Sequence, residues 1–550
     1  MKLFHQLLLA PAALGFLAPV AANATELNIN GVSDYAATSA LSSREQVTSI
    51  TQFSDVYPTD WAYQALSNLI ERYGCVAGYP NGTYRGNRAM TRFEAAALLN
   101  ACLDRVTEVT DELKRLMKEF EKELAILKGR VDGLEARVGE LEATHFSTTT
   151  KLKGKTTFVL GAVNAGGDGS SEYNQQFGGT TFNYDQRLYV DTSFTGKDRL
   201  LARLRTGNFT KGSNAFAGSG VNLTALDIAT DSGVAGSNNN VTVDRLFYKF
   251  PVGEEFTFIA GAIARNTESI ALWPSKYNKG GAKVLDFTSL MGTSGVYNKE
   301  TGQLIGAYWK QKVDKGDNNL SISVNYVADD KDGNISDPSE GGFMTANSEA
   351  SLMAQLGYAG PRWGAAFGYR YGQCNSGNGF RRGTEFLKTN KWNNDCEDAD
   401  GNRNPGGTNS YALNAYWTPE DPGFIPSISL GWGINTVSSS GKEDGSPITS
   451  QSWLAGLKWE DVFLKGNDLG FAVGQPNFAT ALKGGDTPYD GNYVFELWYN
   501  FQVTDNISIS PAIFYLSRPE GQNTASLVNG SGYDGQFNIF GGVLQTTFKF

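Results

Sequence analysis

The sequence predicts a mainly β protein: a 16-stranded antiparallel transmembrane β-barrel preceded by a small α-helical unit and one coiled-coil helix. Three observations carry this. From about Ser147 onward, apolar residues recur with period two. The connections between those stretches are short and long in strict alternation. Ahead of Ser147, apolar residues recur first at helical spacing and then as heptads. A barrel turns one face of each strand to lipid and the other to its lumen, so a mean hydropathy of −0.32 is compatible with membrane insertion. No stretch of the mature chain is long and apolar enough to span a bilayer as a helix.

Residues 1–24 read as a signal peptide. Lys2 precedes the apolar run Leu7 to Val20, and Ala22-Asn23-Ala24 offers a small-x-small cleavage site. Residues 25–50 form a polar tether.

The helical unit occupies residues 51–105. It contains Phe53-Ser54-Asp55-Val56, Asp60-Trp61-Ala62, Gly78-Tyr79-Pro80-Asn81-Gly82-Thr83-Tyr84 and Thr91-Arg92-Phe93-Glu94. Ala62, Ala65, Leu66 and Leu69 fall on one helical face. Thr91 and Glu94 make a capping box that opens a second helix. Pro-Asn-Gly between them suits a turn, since Pro presets φ and Asn-Gly tolerates positive φ. These motifs closely resemble the S-layer homology (SLH) domain. Departures are Tyr84 for the usual Phe, Gly86 for Pro and Phe93 for Ala. The resemblance implies binding to peptidoglycan-linked wall polysaccharide, with Asp55, Trp61, Gly82, Thr91, Arg92 and Glu94 as the expected contacts. Thr91 and Glu94 also have a complete reading as a helix cap, and Trp61 one as core.

Residues 106–145 follow as a coiled-coil helix. Val106, Val109, Leu113, Leu116, Phe120, Leu124, Leu127, Val131, Leu134, Val138 and Leu141 keep a heptad with one stutter. Gly129, Gly133 and Gly139 each weaken a lone helix by up to about 1 kcal/mol, so partners are expected. Valine at a and leucine at d favour a dimer. SLH domains commonly act as three copies where this chain carries one, which favours a homotrimer.

The barrel is expected over residues 147–550. Its strands begin near Gly154, Phe182, Arg199, Val241, Phe256, Gln303, Asn319, Ala350, Trp363, Asn409, Ile425, Gln451, Leu469, Asn492, Ile507 and Asn538. Arg199, Arg203 and Arg205 oppose Leu200, Ala202 and Leu204 across one strand. An even strand number places both termini at the short-turn rim, the periplasmic side of an outer-membrane barrel. Terminal Phe550 on the last strand resembles an outer-membrane assembly signal. Together, signal peptide, SLH unit and barrel resemble cyanobacterial-type SLH porins, whose barrel belongs to the carbohydrate-selective OprB-type family and includes iron-uptake porins. That resemblance implies an outer-membrane porin passing small hydrophilic solutes, either inorganic ions including iron species or sugars. It also places the SLH domain and coiled coil in the periplasm. The alternative is a structural tether of outer membrane to wall with a largely closed barrel.

Sixteen strands enclose an aqueous lumen, and selectivity then rests on its narrowest lining. The long connection 264–302 is the expected constriction, with Arg265, Glu268, Lys276 and Lys279. Facing it is a basic ladder of Arg187, Arg199, Arg203, Arg205, Arg245 and Lys249. A modest anion preference is the expectation.

Four cysteines fall as two local pairs, Cys75 with Cys102 and Cys374 with Cys396; of three possible connectivities, pairing of neighbours is the simplest in an exported chain. The mature chain's lone histidine, His145, leaves little for a zinc site or a His-based triad. No catalytic constellation, cofactor motif or metal site is expected. A net charge of −10 without a basic block argues against nucleic acid. Partners are expected to be membrane lipid, wall polysaccharide, solute and further copies of the chain.

Overall fold

The structure is a computed structural model that describes residues 49–60, 63–71, 83–84 and 149–550. The last range has gaps at 230–238, 278–282, 375, 377–379, 390–406, 422 and 439–441. It divides into two units, residues 1–144 and 145–550. The coiled-coil helix expected over 106–145 lies outside the described residues, as do Trp61, Gly82, Thr91, Arg92, Glu94, Lys279, Cys75, Cys102 and Cys396.

In the first unit, a turn of 3-10 helix at Ile50–Gln52 precedes helix α1, Tyr63–Glu71. The Ser49 side chain accepts from the Thr51 N–H and so caps the turn. Ile50, Phe53, Leu66 and Ile70 are buried together, with Val56, Tyr63, Leu69 and Tyr84 packed on them. Of the helical stripe expected from the sequence, Leu66 enters this cluster and Leu69 packs on it. Asp55 accepts the Tyr84 N–H at 2.6 Å.

The second unit is a closed barrel. Its strands are β1 (Thr150–Gly167), β2 (Thr181–Thr192), β3 (Arg199–Gly207), β4 (Thr242–Val252), β5 (Phe256–Arg265), β6 (Thr301–Lys310), β7 (Asn319–Asp329) and β8 (Ser351–Ala359). There follow β9 (Trp363–Gly372), β10 (Thr408–Trp417), β11 (Ser427–Val437), β12 (Pro447–Glu460), β13 (Asp468–Leu482), β14 (Tyr493–Thr504), β15 (Ile507–Ser517) and β16 (Phe537–Lys549). Each strand pairs with its sequence neighbours, and β1 closes on β16 in antiparallel register. Closure leaves no open edge, the condition for strands to stand in lipid. The expected strand starts agree closely; the largest offsets are at β1 (Thr150 against Gly154) and β12 (Pro447 against Gln451).

Period-two patterning explains which face is which. On β7, Ser321, Ser323 and Asn325 are buried in the interior, while Ile322 and Val324 are exposed on the outer wall. Tyr358 and Trp363 meet edge to face near one rim, at 5.4 Å between centroids. Aromatic rings at that level suit a membrane interface. Among the described residues no helix is long and apolar enough to cross a membrane.

The short turns are built by local chemistry. In the turn joining β2 and β3, Asp198 accepts from the N–H groups of Phe194 and Thr195, and from the hydroxyls of Ser193, Thr195 and Tyr248. Burial acts to raise its pKa, but hydrogen bonds led by Thr195 outweigh it and hold the carboxyl well below its usual range. Gly196 supplies the positive φ of 78° the turn needs.

Candidate functional site

The barrel interior is occupied by its own long loops, and they define the site. Loop 266–300, between β5 and β6, leaves the wall and crosses the lumen. Its path is recorded by side chains that point inward from successive strands. Asn325 on β7 donates to the Asn266 carbonyl (2.9 Å) and to the Ser269 hydroxyl (2.7 Å). Ser429 on β11 accepts the N–H groups of Lys276 (2.9 Å) and Tyr277 (3.1 Å). Glu496 on β14 accepts the Tyr277 hydroxyl and the Leu285 N–H, each at 2.7 Å, and the Thr288 hydroxyl at 3.0 Å.

The return leg is held in the same way. Asn414 on β10 donates to the Met291 carbonyl (3.2 Å). Arg370 on β9 donates through Nε to the Gly295 carbonyl (2.7 Å), and Gln355 on β8 donates to the Tyr297 hydroxyl (2.8 Å). Polar residues that the two-period pattern assigns to the inner face are thus the fasteners of the loop. At Gly431 the loop backbone comes so near that a Cβ would stand 2.0 Å from the Met291 oxygen.

Two further loops meet it. Loop 208–241, between β3 and β4, joins it backbone to backbone: Asp227 N–H to the Val284 carbonyl (2.8 Å) and Asp286 N–H to the Ala225 carbonyl (2.9 Å). Loop 373–407, between β9 and β10, contributes Arg381 and Arg382. Both donate through Nε to Asp286 Oδ2, at 2.6 and 2.7 Å, and Lys299 reaches Asp286 Oδ1 at 2.5 Å. Lys299 also pairs with Asp227 at 2.6 Å. Burial acts to raise the Asp286 pKa, but Arg381, Lys299 and Arg382 hold the carboxyl well below its usual range. One carboxylate therefore binds three cations drawn from two loops.

The expected basic ladder lies on the inner faces of β2, β3 and β4, and its register is unusual. Arg187 pairs directly opposite Arg205, Arg203 opposite Arg245, and Arg199 opposite Lys249. Like charges in direct cross-strand apposition destabilise a sheet unless something offsets them. The offset comes from carboxylates that the sequence reading did not single out. Asp185 binds Arg187 and Arg205, both at 2.6 Å, and Asp244 takes Arg203 in a two-pronged pair at 2.5 and 2.7 Å.

The predicted constriction residues do not all meet. Arg203, Arg205, Arg245, Arg265 and Glu268 converge beside the loops, with Glu268 Oε1 3.4 Å from Arg245 Nε. Lys249 donates to the Glu268 carbonyl (2.9 Å) and lies over the Tyr308 ring. Arg199 stands toward the turn rim, paired with Asp191 and half exposed. Lys276 sits across the lumen over the Tyr416 ring, 5.0 Å from its centroid. Asp227, Lys299, Arg381 and Arg382 belong to the same charged interior and were missed, because loop residues carry no periodic signal; Lys155 on β1 belongs to it too and was not singled out. Cys374 is disulfide-bonded. Among the described residues no group of three or more His, Cys, Asp or Glu is arranged to hold a metal ion.

Comparison with known proteins adds the following. A profile of the carbohydrate-selective porin, OprB family, matches residues 108–550, and one of the S-layer homology domain matches residues 52–96. An uncharacterized protein of Nostoc sp. is 35 % identical over 564 residues, spanning 95 % of this chain and 88 % of its own length. Another from Synechocystis sp. is 32 % identical over 521 residues, spanning 87 % of this chain and 88 % of its own. The high-pH structure of Pseudomonas putida OprB aligns over 75 % of this chain and 96 % of its own, at 11 % identity and a TM-score of 0.45.

Proposed function

Since the chain belongs to the carbohydrate-selective porin, OprB family, and carries an S-layer homology domain ahead of its barrel, we propose that it passes small hydrophilic solutes across the outer membrane while the N-terminal unit grips wall polysaccharide. The observation that carries this reading is loop 266–300, which crosses the lumen beside the arginine-bearing wall of β2 to β4. A transverse loop converts a wide barrel into a size-limited channel, and fixed charge beside it sorts ions. Basic groups there outnumber acidic ones, so among ions small anions pass more readily than cations. Iron species among the inorganic ions, or uncharged sugars of similar size, are the other small hydrophilic solutes of this reading.

The second reading, a tether with a largely closed barrel, draws support from the three loops that meet inside the lumen. Single-channel recording in planar bilayers separates the two. A steady conductance, with a reversal potential in a salt gradient that reports anion preference, supports the channel; absence of conductance supports the tether. Liposome swelling with sugars against salts then ranks the solutes.

In this reading the SLH domain and the heptad helix lie in the periplasm, and three chains associate through that helix. Chemical cross-linking of the full chain in detergent tests the trimer; a dimer ladder overturns it.

A further inference from the structure

Two arginines in the charged wall differ from their neighbours. Among the described residues, neither Arg265 Nε nor Arg245 Nη2 has a hydrogen-bond partner, although both atoms are buried. An unsatisfied buried guanidinium N–H is expensive, on the order of 1–3 kcal/mol or more. Its neighbours do not relieve it: the principal charges acting on Arg265 are those of Arg245, Arg381, Arg203 and Arg205, all guanidinium groups. Arg203 is already satisfied by Asp244. Arg245 Nη1 donates to the Asp244 carbonyl, and the side chain otherwise has a long contact to Glu268, at 3.4 Å, and a 3.8 Å approach to the Asp244 carboxylate, which leaves Nη2 unused.

The strands explain why these two donors converge. Arg245 stands opposite Arg203 on β3, and its neighbour Leu246 pairs with Ile263 on β5, two residues before Arg265 at the end of that strand. Two free donors from two planar guanidinium groups, in a surplus of positive charge, match the oxygens of one small oxyanion. Chloride can accept both donors, but its single charge balances only one guanidinium and it does not match the fork geometry as paired oxygens do.

We propose that Arg245 and Arg265 form a discrete binding site for a small divalent oxyanion, set in the wall of the channel beside loop 266–300. The site rests on the channel reading given above and names the solute class that the channel holds. A divalent ion satisfies both guanidinium groups together, whereas a monovalent one leaves a net positive charge. Glu268, partly exposed and in contact with Arg245, is the intramolecular competitor for the same donors. Bound anion displaces that carboxylate from Arg245.

The test uses the full-length chain in detergent and in planar bilayers, with inorganic phosphate at pH 8 as the probe. Calorimetric titration is expected to show saturable phosphate binding, and the chloride current is expected to fall along a saturating curve as phosphate is added. Arg265→Gln should raise both midpoints at least tenfold, while Arg362→Gln, at an exposed turn where Arg362 pairs only with Glu420, should leave them in place. A heat-stable barrel band on cold gels certifies that each variant is folded. Chloride current without saturable phosphate binding overturns the site and leaves the channel standing. Phosphate binding without any current overturns the channel and leaves the site. Equal midpoints for the native chain and Arg265→Gln also overturn the site.

Discussion

Gly470 on β13 and Trp498 on β14 are cross-strand partners, and a Cβ at position 470 would stand 2.1 Å from the indole ring. The missing side chain is what lets Trp498 lie against the inner wall. From there its Nε1 donates to the Tyr277 hydroxyl at 2.8 Å, which in turn donates to Glu496 at 2.7 Å. Gly470→Ala is therefore expected to disturb loop 266–300 as well as the wall. Trp498 is almost fully buried and has no free direction in which to move. The expected loss is about 1–3 kcal/mol, typical of overpacking. The midpoint of heat-induced unfolding on gels reads it, and an unchanged midpoint contradicts the assignment.

Glu496 is the far anchor of the crossing loop. Replacing it with alanine strips the acceptor from the Leu285 N–H, the Tyr277 hydroxyl and the Thr288 hydroxyl, all buried. Each unsatisfied donor carries a penalty of roughly 1–3 kcal/mol. Single-channel records of Glu496→Ala should show frequent transitions between current levels where the native channel is steady. A quiet record of native amplitude would argue that the loop is held by something else.

Asp286 bears on selectivity and on stability together. Asp286→Asn removes the charge that offsets Lys299, Arg381 and Arg382. Breaking one member of a buried ionic group costs about 3–5 kcal/mol. The same change adds net positive charge to the lumen, so the reversal potential should shift further toward anions. A shift toward cations would show that this cluster does not face the conducting path.

How much of this was legible in the chain follows from period. Strand number, closure and the inward ladder Arg199, Arg203, Arg205 were readable because a strand's two faces alternate strictly. The loop between the fifth and sixth strands was expected at the constriction from its length and from its resemblance in position to the lumen loop of general porins, and it does enter the lumen. Its fasteners were not identified. Ser429, Asn414 and Glu496 look like ordinary inner-face polar residues until the loop is laid across them. The ladder was read as a basic face opposite the constriction loop, and register adds that its members stand as like-charged pairs offset by Asp185 and Asp244. Asp244 shares the inner side with adjacent Arg245 because the register shifts between Arg203 and Leu204. A strict alternation would have sent it to the lipid face.

The outer loops should tighten in acid. Burial pushes Asp490 and Glu520 up to about 7, and Glu385 is raised as well by burial. All three lie in the loops that follow β9, β13 and β15. A carboxyl whose folded pKa lies above its unfolded value of about 4 favours folding when protonated, so its contribution grows as pH falls from about 7 toward 4. Lys388, lowered to about 7 chiefly by burial, acts in the opposite sense, but its loss is largely complete once pH has dropped to about 7. Between pH 7 and 5 the carboxyls therefore decide the sign. Limited proteolysis of the full chain in detergent should cut these loops more slowly at pH 5 than at pH 8. Faster cutting at pH 5, with an acid-tolerant protease compared at equal activity, would reverse the assignment.

At the N-terminal unit, one residue expected to touch the wall has a structural task. An oxygen of Asp55 accepts the Tyr84 N–H at 2.6 Å and so ties the start of the unit to the loop that ends in Tyr84, whose ring packs on Phe53 at 5.8 Å. Asp55→Ala should lower the unit's thermal stability by about 1–3 kcal/mol, and wall binding should fall with it. Asp55→Asn keeps an acceptor oxygen and should recover most of both. Arg92 is the contrasting case: a guanidinium fork matches the carboxylates of an acidic glycan, so Arg92→Ala should weaken sedimentation with purified wall while the melting midpoint stays in place. If Asp55→Ala loses wall binding without any change in melting, Asp55 touches the glycan directly and its bond to Tyr84 is incidental. If Arg92→Ala binds wall as the native chain does, the contact lies elsewhere on the unit.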